Sequence, residues 1–401
     1  MPKLIADRPV LHTTSALTQV MAEAKARELA GERVLHLERG EPDFETPPHI
    51  VEALAAAARG GETHYPDARG VMALRAALVE KLARENGILA HPDDVVVTNG
   101  GTHGLYLVFQ GLLSAGDELL VLSPHWMAIP KLVGFADGAT MRTLPAYLEL
   151  QEGAWGAAEL ANRIAATLRP NTRGIYLNTP NNPTGAVLNR QQLEAIAAVA
   201  LEHDLWVVSD EAYEHLVFDG VRHVSFASLP GMAERTVSVF TFSKSYAMTG
   251  WRLGYVVTPP AMRPVMGPLL SFYTTHGVFP SVQLAGLAAI TGPQAAVETM
   301  RAAYEQRRDA LLAGLEGQSA VHAPVPHGAF YAFANVAGAR AGRDIWTLVR
   351  EWLAMGVAVL PGTAFGPGYD DWVRLSLATR AEDVVEAARR LHDHALSAVR
   401  A

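Results

Sequence analysis

Short apolar runs alternate with helix-periodic segments along most of the chain. Five runs have the length and apolar content of buried strands: VVVT (95–98), DELLVLSP (117–124), RGIYLNTP (173–180), LWVVSDEAY (205–213) and TVSVFTF (236–242). Apolar residues at helical spacing occupy the segments between them, for example 71–87, which stops at Gly87, and 191–204. This alternation predicts an α/β fold with a mostly parallel, doubly wound sheet that is buried on both faces.

The pattern changes in the last third of the chain. Helical periodicity occupies 304–317 and 381–400, and strand-like runs occupy 328–336, 356–362 and 372–378. This mixture is typical of an α+β arrangement. We therefore expect a smaller α+β domain in addition to the large one.

Composition narrows the class of protein. Hydrophobic residues make up 49% of the 401 residues and charged residues 18%, which is typical of a globular protein with a large interior. A net charge of −8 gives no electrostatic footprint for nucleic acid or an anionic membrane. The absence of cysteine excludes disulfides, thiolate nucleophiles and cysteine-ligated zinc, and we expect no metal site. Without a signal-peptide pattern or a run of about 20 apolar residues, we expect a soluble cytoplasmic protein.

A lysine follows one of the predicted strands. Ligands of an open parallel sheet bind outside the carboxyl ends of its strands, and Lys244 comes directly after 236–242. The chain has only five lysines, whereas 28 of its 33 basic residues are arginine. A lysine can lose its proton when it is desolvated and then act as a nucleophile or base, which an arginine cannot do. Position alone also allows an ordinary surface lysine.

Two other strand ends carry candidate chemistry. Gly100, Gly101 and Thr102 follow 95–98, and a glycine-rich turn before a helix can bind an anion or can be only a turn. Asp210 follows LWVVS (205–209) within the run 205–213. It could be a metal ligand, a helix cap, or a carboxylate that holds a protonated ring nitrogen.

The remaining candidates also admit two interpretations each. Asn182, in NNPTG, could donate a hydrogen bond to a ring or form part of a turn. Trp126 could stack on a planar ring or fill the core. Arg374 lies inside an apolar strand, where a cation needs a carboxylate partner from the protein or from a substrate. Three residues near Lys244 could hold a phosphate: Thr241, Ser243 and Arg252.

Together these motifs resemble a known family. The string S-K-x-x-x-x-x-G-x-R-x-G around Lys244, with NNPTG and SDEAY before it, resembles the pyridoxal 5'-phosphate-dependent aminotransferases of fold type I. The resemblance is greatest to the bacterial aspartate-aminotransferase-like branch. It runs from GEPDFETP (40–47) to VRLSLA (373–378), nearly the whole chain. It implies a sheet of the seven-stranded type in a large cofactor-binding domain.

The resemblance implies roles around the cofactor. Lys244 matches the lysine that bonds to the cofactor, and Asp210 matches the acid that pairs with the pyridinium nitrogen. Tyr213 and Asn182 match the donors to the ring hydroxyl oxygen, and Trp126 matches the stacking aromatic. The expected phosphate contacts are Gly100, Gly101, Thr102, Thr241, Ser243 and Arg252.

The resemblance also implies contacts with the substrate and with a second subunit. Arg374 matches the arginine that binds the α-carboxylate of the substrate, and Gly40 matches a nearby backbone contact. Trp126 and Asn182 are expected to touch the substrate as well. Tyr65 matches a tyrosine that reaches the cofactor phosphate of the neighbouring subunit. A homodimer with shared active sites would follow.

The implied activity is an aminotransferase that moves an amino group between an L-amino acid and a 2-oxo acid in a ping-pong reaction. In that reaction the freed lysine moves a proton as general base and then as general acid. The expected large domain spans 48–285, and the expected small domain combines 1–47 with 286–401. A long helix at about 285–315 would join the two and allow the small domain to close over substrate.

The sequence leaves the substrate open. In some related enzymes a lysine follows the two glycines of the phosphate loop, but here that position is Thr102. The region 271–283, where a neighbouring subunit would supply an arginine, contains none. Aspartate with 2-oxoglutarate therefore remains one possibility beside aromatic, branched-chain, alanine or methionine substrates. A β-lyase or synthase on the same scaffold is the enzymatic alternative, and a regulator with a degenerate aminotransferase-like domain is the non-enzymatic one.

Overall fold

The described residues form twelve β-strands. The computed structural model describes residues 15–317 and 319–400. The strands are β1 Leu35–His36, β2 Val95–Thr98, β3 Glu118–Ser123, β4 Thr140–Pro145, β5 Thr172–Asn178, β6 Trp206–Asp210, β7 Thr236–Thr241, β8 Gly254–Val257, β9 Tyr331–Asn335, β10 Val357–Ala358, β11 Leu360–Pro361 and β12 Trp372–Ser376.

The same residues form fifteen α-helices. They are α1 Ala16–Leu29, α2 Pro48–Arg59, α3 Met72–Lys81, α4 Gly101–Leu112, α5 Ile129–Gly134, α6 Tyr147–Gln151, α7 Ala157–Thr167, α8 Arg190–Glu202, α9 Phe242–Ser245, α10 Arg263–Thr274, α11 Pro280–Thr291, α12 Ala295–Leu315, α13 Ala337–Arg340, α14 Ile345–Ala354 and α15 Ala381–Arg400. Within the described range, no helix is both long enough and apolar enough to cross a membrane.

Seven strands form the central sheet, in the order β2-β8-β7-β6-β5-β3-β4. The five strands from β7 to β4 are parallel to their neighbours, and β8 runs antiparallel to both β2 and β7. The predicted fold class, a mostly parallel doubly wound sheet of seven strands, is confirmed. The apolar runs did not predict β4 and β8. β4 lies at the sheet edge and is only partly buried, so its sequence, TMRTLP, has no continuous apolar run.

Helices cover both faces of this sheet. Successive side chains of a strand point to opposite faces, so neighbouring residues pack against different helices. Val208 and Tyr176 pack on one face with residues of α4, α5 and α10. Val207 and Ile175, one position earlier in the same strands, pack on the other face with residues of α6, α7 and α8. Two buried faces explain why neighbouring positions in these strands, such as Val207 and Val208, are both apolar, instead of every second position only.

A second sheet, β11-β12-β9, is antiparallel and belongs to the C-terminal part of the chain. The N-terminal segment joins it, because β1 pairs in parallel with β10. Leu35 and Leu37 share a core with Tyr304 and Trp352, which come from α12 and α14. The first 47 residues, as far as they are described, therefore pack with the last third of the chain.

Several predicted element bounds are wrong in detail. The expected helix at about 285–315 is two helices, α11 and α12, because Gly292 and Pro293 interrupt it. The run 205–213 ends as a strand at Asp210, and 356–362 is two strands of two residues each. The run 236–242 ends at Thr241, and the following residues turn into the short helix α9, which carries Lys244.

Candidate active site

One large cavity, of about 750 Å³, lies at the carboxyl ends of the central parallel strands. Twelve of the fourteen residues singled out in the sequence line this cavity, all except Gly100 and Tyr65. They come from seven separate segments, from Gly40 to Arg374, so the fold collects them from nearly the whole length of the chain.

Lys244 projects into the cavity from α9, directly after β7. Its Nζ donates a hydrogen bond to the carbonyl oxygen of Gly40 at 2.6 Å. Burial lowers the pKa of Lys244 to about 8, and the positive charges of Arg374 and Arg252 act in the same direction. About a tenth of this amine is therefore unprotonated at pH 7, far more than for a lysine of ordinary pKa, and a nucleophile or base must be unprotonated.

Asp210 is buried at the end of β6. Its Oδ2 accepts a hydrogen bond from the hydroxyl of Tyr176 at 2.8 Å, and its Oδ1 accepts one from the backbone N–H of Ala212 at 3.2 Å. Burial raises the pKa of Asp210 to about 6, although both hydrogen bonds oppose that shift. Among the residues that the structure describes, no cation forms an ion pair with this carboxylate.

The N-terminus of α4 forms an anion cradle beside these groups. Gly100 precedes the helix with φ +81° and supplies no side-chain cap, and among the described residues no other side chain caps the N–H groups of the first turn. A Cβ at Gly100 would be strained at this φ and would lie 2.6 Å from Nη2 of Arg252, so it would push that guanidinium aside. Arg252 itself donates to the carbonyl of Thr249 at 2.6 Å. A helix N-terminus with an adjacent arginine favours a phosphate group.

Two hydroxyl groups lie next to this cradle. Thr241 Oγ1 donates to Ser243 Oγ at 2.9 Å and accepts from the backbone N–H of Ser243 at 3.2 Å. The strand end and the start of α9 are held together by this pair, and both side chains line the cavity. Hydroxyls at such a position can donate to phosphate oxygens.

Asn182 and Tyr213 lie on the wall that faces the C-terminal part of the chain. Asn182 accepts a hydrogen bond from Nη1 of Arg374 at 3.2 Å through its Oδ1, so its amide nitrogen remains a donor. The hydroxyl of the buried Tyr213 lies 3.1 Å from the hydroxyl of Tyr331. Tyr331, which also lines the cavity, had not been predicted from the sequence.

Arg374 is buried in β12 with its guanidinium at the cavity. Its Nη2 donates to the backbone carbonyl of Glu38 at 2.6 Å, and its Cζ lies 4.3 Å from the centre of the Tyr331 ring. The Nε of Arg374 is buried and has no hydrogen-bond partner among the residues that the structure describes. An arginine with an unused donor at a cavity is suited to a carboxylate ligand.

Trp126 and Tyr65 have different surroundings. Trp126 is half-buried after β3, packs against the apolar core below it and also lines the cavity, so its two sequence interpretations are compatible. Tyr65 lies outside the cavity, 77% exposed, with its ring centre 4.8 Å from that of His276.

The sequence reasoning missed several residues on the cavity wall. Arg39 and Glu41 flank Gly40, and Leu17 and Met21 come from α1. The first two lie within or next to the motif GEPDFETP, which was the signal available for them. The two apolar residues carry no local signal, because α1 reads as an ordinary helix.

One cavity thus contains a buried acid, a lysine whose pKa is lowered, a helix N-terminus suited to an anion and an arginine suited to a carboxylate. This set of groups is suited to ligands that carry amine and carboxylate groups. The chain belongs to the family described as aminotransferase class I and II, whose sequence model matches residues 32–391. Members of this family use pyridoxal phosphate.

Two curated relatives agree. An aspartate aminotransferase of Geobacillus stearothermophilus is 37% identical over 394 residues, which cover 97% of this chain and 98% of the relative. An arginine–pyruvate transaminase of Pseudomonas aeruginosa is 39% identical over 381 residues, 94% of each chain. The prediction of a transaminase is confirmed. The names of these relatives differ in their substrates, so the reaction class is established and the amino acid is not.

The solved structures give the same result. Aspartate aminotransferase from Thermus thermophilus with maleate superposes with a TM-score of 0.90 at 37% identity, and covers 98% of this chain and 100% of its own. The predicted membership in the aspartate-aminotransferase-like branch of fold type I is therefore confirmed.

Proposed function

We propose that this transaminase binds pyridoxal 5'-phosphate in the cavity and bonds to it through Lys244. The observation that supports this best is the convergence of three groups on one cavity: the Lys244 amine, the Asp210 carboxylate and the N-terminus of α4. These groups fit a phosphorylated pyridine. Arg252 lies against Gly100 at the N-terminus of α4, where a phosphate would bind. Asp210 forms no ion pair with a described residue, so its carboxylate is available to a protonated ring nitrogen. When bound, the cofactor supplies an electron sink for the substrate Cα.

The protein's part in the reaction is to hold and move protons. Above its pKa of about 6, Asp210 is ionised and can keep the pyridine nitrogen protonated. Lys244, once released from the cofactor, is the base that takes a proton from the substrate Cα and then returns one as an acid. Its hydrogen bond to the Gly40 carbonyl indicates a position close to the substrate-binding wall.

The amino acid substrate is expected to lie between Arg374 and Lys244. The unpaired Nε of Arg374 and its neighbouring Nη would bind the α-carboxylate, and Asn182 would orient that guanidinium. This leaves the substrate side chain directed toward the wall formed by Arg39, Glu41 and α1. An amino acid and a 2-oxo acid are the two substrates of the cycle.

Trapping the bond to the cofactor tests the proposal directly. Protein loaded with pyridoxal phosphate is reduced with sodium borohydride, digested and mapped by mass spectrometry. We expect one label, on the peptide that contains Lys244. Lys25→Ala removes an exposed lysine of α1 as the matched control and should keep the label. A label that persists in Lys244→Ala would refute the assignment.

We also propose a homodimer in which Tyr65 completes the neighbouring subunit's cradle. Its 77% exposure and its position outside its own cavity support this arrangement. Mixing Lys244→Ala and Tyr65→Ala subunits tests it, because a shared site would restore one intact cavity per mixed dimer. Activity above the mean of the two parents is expected. Activity equal to that mean would mean that each site is built from one chain.

Two domains are proposed with the bounds 48–285 and 1–47 plus 286–401. The shared core of β1 with α12 and α14 supports the assignment of the N-terminal segment to the small domain. Closure of that domain over substrate would exclude water from the cavity. Hydrogen exchange with and without maleate measures it, with added protection expected in α1 and the loop at Gly40. Identical exchange in both states would count against closure.

A further inference from the structure

Arg39 is a cation in the cavity wall that no role above uses. Its side chain is 44% exposed and lines the cavity. Within the described part of the chain, its one ion-pair partner is Glu38, whose Oε1 lies 3.6 Å from its Nε, and the guanidinium makes no hydrogen bond. Here the two terminal nitrogens stay available to a ligand.

The backbone places Arg39 beside the reacting groups. The carbonyl of Glu38 accepts from Arg374 at 2.6 Å, and the carbonyl of Gly40 accepts from Lys244 at 2.6 Å. The Cα of Arg39 is one residue, about 3.8 Å, from the Cα atoms of both neighbours. A substrate held between Arg374 and Lys244 therefore has this residue alongside it.

A chain of charged side chains, Glu38, His36 and Glu28, fixes the position of the carboxylate beside Arg39. Glu38 is fully buried, and its Oε1 lies 2.9 Å from Nδ1 of His36. The other ring nitrogen of His36 lies 3.0 Å from Glu28 of α1. Hydrogen bonding to Glu38 is the main cause that raises the pKa of His36, which favours the charged form of the imidazole. Glu38 is thereby held in place on the Nε side of the guanidinium, which leaves the Nη side free.

Among the described residues, the rest of this wall offers no equivalent cation. Leu17, Met21 and Met127 are apolar, and Thr102 occupies the position after the phosphate-loop glycines. Glu41 is the acidic group on the wall, and its Oε2 accepts a hydrogen bond from Thr249 at 3.1 Å. A ligand group of negative charge therefore has one partner on this wall, Arg39.

We propose that Arg39 is the specificity residue of this enzyme and binds an anionic group at the far end of the substrate side chain. A carboxylate fits best, because the free Nη edge of a guanidinium can bind it through two parallel hydrogen bonds. The proposal rests on the function proposed above, which places the α-carboxylate on Arg374. It assigns the recognition of acidic substrates to the loop before Gly40 of the chain that also carries Lys244, and not to an arginine of a neighbouring subunit.

Maleate and crotonate, a dicarboxylate and a monocarboxylate of similar length, are suitable probes. Their dissociation constants are measured on the cofactor-loaded protein by titration calorimetry. Arg39→Gln should weaken maleate about 10- to 100-fold, the loss of a charged hydrogen-bond pair, and leave crotonate nearly unchanged. Arg59→Gln removes the same charge from the exposed end of α2 and should change neither constant.

Steady-state kinetics complete the test. In Arg39→Gln, kcat/KM for L-glutamate and L-aspartate should fall by a factor similar to that for maleate, mainly through KM, with L-leucine unaffected. Equal losses for maleate and crotonate would overturn the proposal, since Arg39 would then act only on the structure of the loop. Preference of the unaltered enzyme for L-arginine or L-lysine would also overturn it and assign the wall to Glu41. A wild type that turns over no amino acid would instead contradict the function proposed above.

Discussion

The floor and the rim of the cavity are built differently. The floor consists of residues at or just beyond the carboxyl ends of strands of the central sheet, such as Asp210 at the end of β6 and Lys244 in α9 after β7. The rim consists of the loop from Arg39 to Glu41, Arg374 of β12 and two residues of α1. The floor rests on a sheet that is buried on both faces, whereas the rim belongs to the core shared by the two chain ends. This separation allows the chemistry to stay fixed while the substrate-binding wall varies.

The largest effect should follow from removing the floor amine. Lys244→Ala should lower kcat for every amino acid by about 10⁴-fold or more, since both the bond to the cofactor and the general base are lost. Binding of maleate to the rim should persist within a few-fold. Stopped-flow kinetics with calorimetry on the same sample measure both quantities. A comparable loss of maleate binding would mean that floor and rim are not separable.

Removing Arg374 from the rim should weaken substrate binding and leave the cofactor site intact. Arg374→Leu should lower kcat/KM for all amino acids by about 10²- to 10³-fold, because the α-carboxylate of the substrate would be buried without a cationic partner. The absorption spectrum of the cofactor-loaded protein should stay unchanged. Arg33→Leu, which removes the exposed member of an ion pair with the buried Asp383, is the control for lost charge. A changed resting spectrum would place Arg374 within the cofactor site.

The floor acid should matter for rate more than for substrate choice. Asp210→Asn cannot hold a proton on a ring nitrogen by charge, and we expect kcat to fall about 10²-fold for all substrates alike. The ratio of kcat/KM values between two amino acids should not change. Comparing L-glutamate with L-leucine in the variant measures this. A shift in that ratio would show that Asp210 influences the rim.

The smallest effect is the pH dependence of the rate at which Lys244 bonds to pyridoxal phosphate. In the cofactor-free protein, the pKa of Lys244 is lowered to about 8, and only the unprotonated amine reacts with an aldehyde. The rate of bond formation with pyridoxal phosphate should therefore rise about tenfold from pH 7 to pH 9 and then level off. Stopped-flow absorbance at several pH values follows it. A rate still rising steeply above pH 9.5 would indicate an ordinary lysine pKa.

The sequence predicted the floor better than the rim for physical reasons. β2, β3, β5, β6 and β7 are continuous apolar runs, and whatever follows them lies at the ligand-binding edge of the sheet. Lys244 and Asp210 could thus be found by position, and β12 made Arg374 visible as a cation in an apolar strand. The edge strand β4 and the antiparallel β8 lacked such a signal.

The rim escaped prediction because distant segments form it. Arg39 and Glu41 read as ordinary loop charges until the pairing of β1 with β10 brings that loop to Arg374. Leu17 and Met21 belong to a helix whose sequence gives no sign of a ligand. Tyr331 was part of a predicted strand, and its contact with Tyr213 depends on two elements 118 residues apart. Such contacts follow from tertiary packing and not from local pattern.

One measurement tests the separation of floor and rim most directly. Visible absorption spectra are recorded for the wild type, Lys244→Ala and Arg374→Leu with pyridoxal phosphate, then with an L-amino acid, then with a 2-oxo acid. We predict that the wild type shows the absorption band of cofactor bonded to Lys244, loses this band when the amino acid is added and regains it when the 2-oxo acid is added. Arg374→Leu should form the band and discharge it only at far higher amino acid concentrations. A wild-type band that Lys244→Ala reproduces would contradict the account.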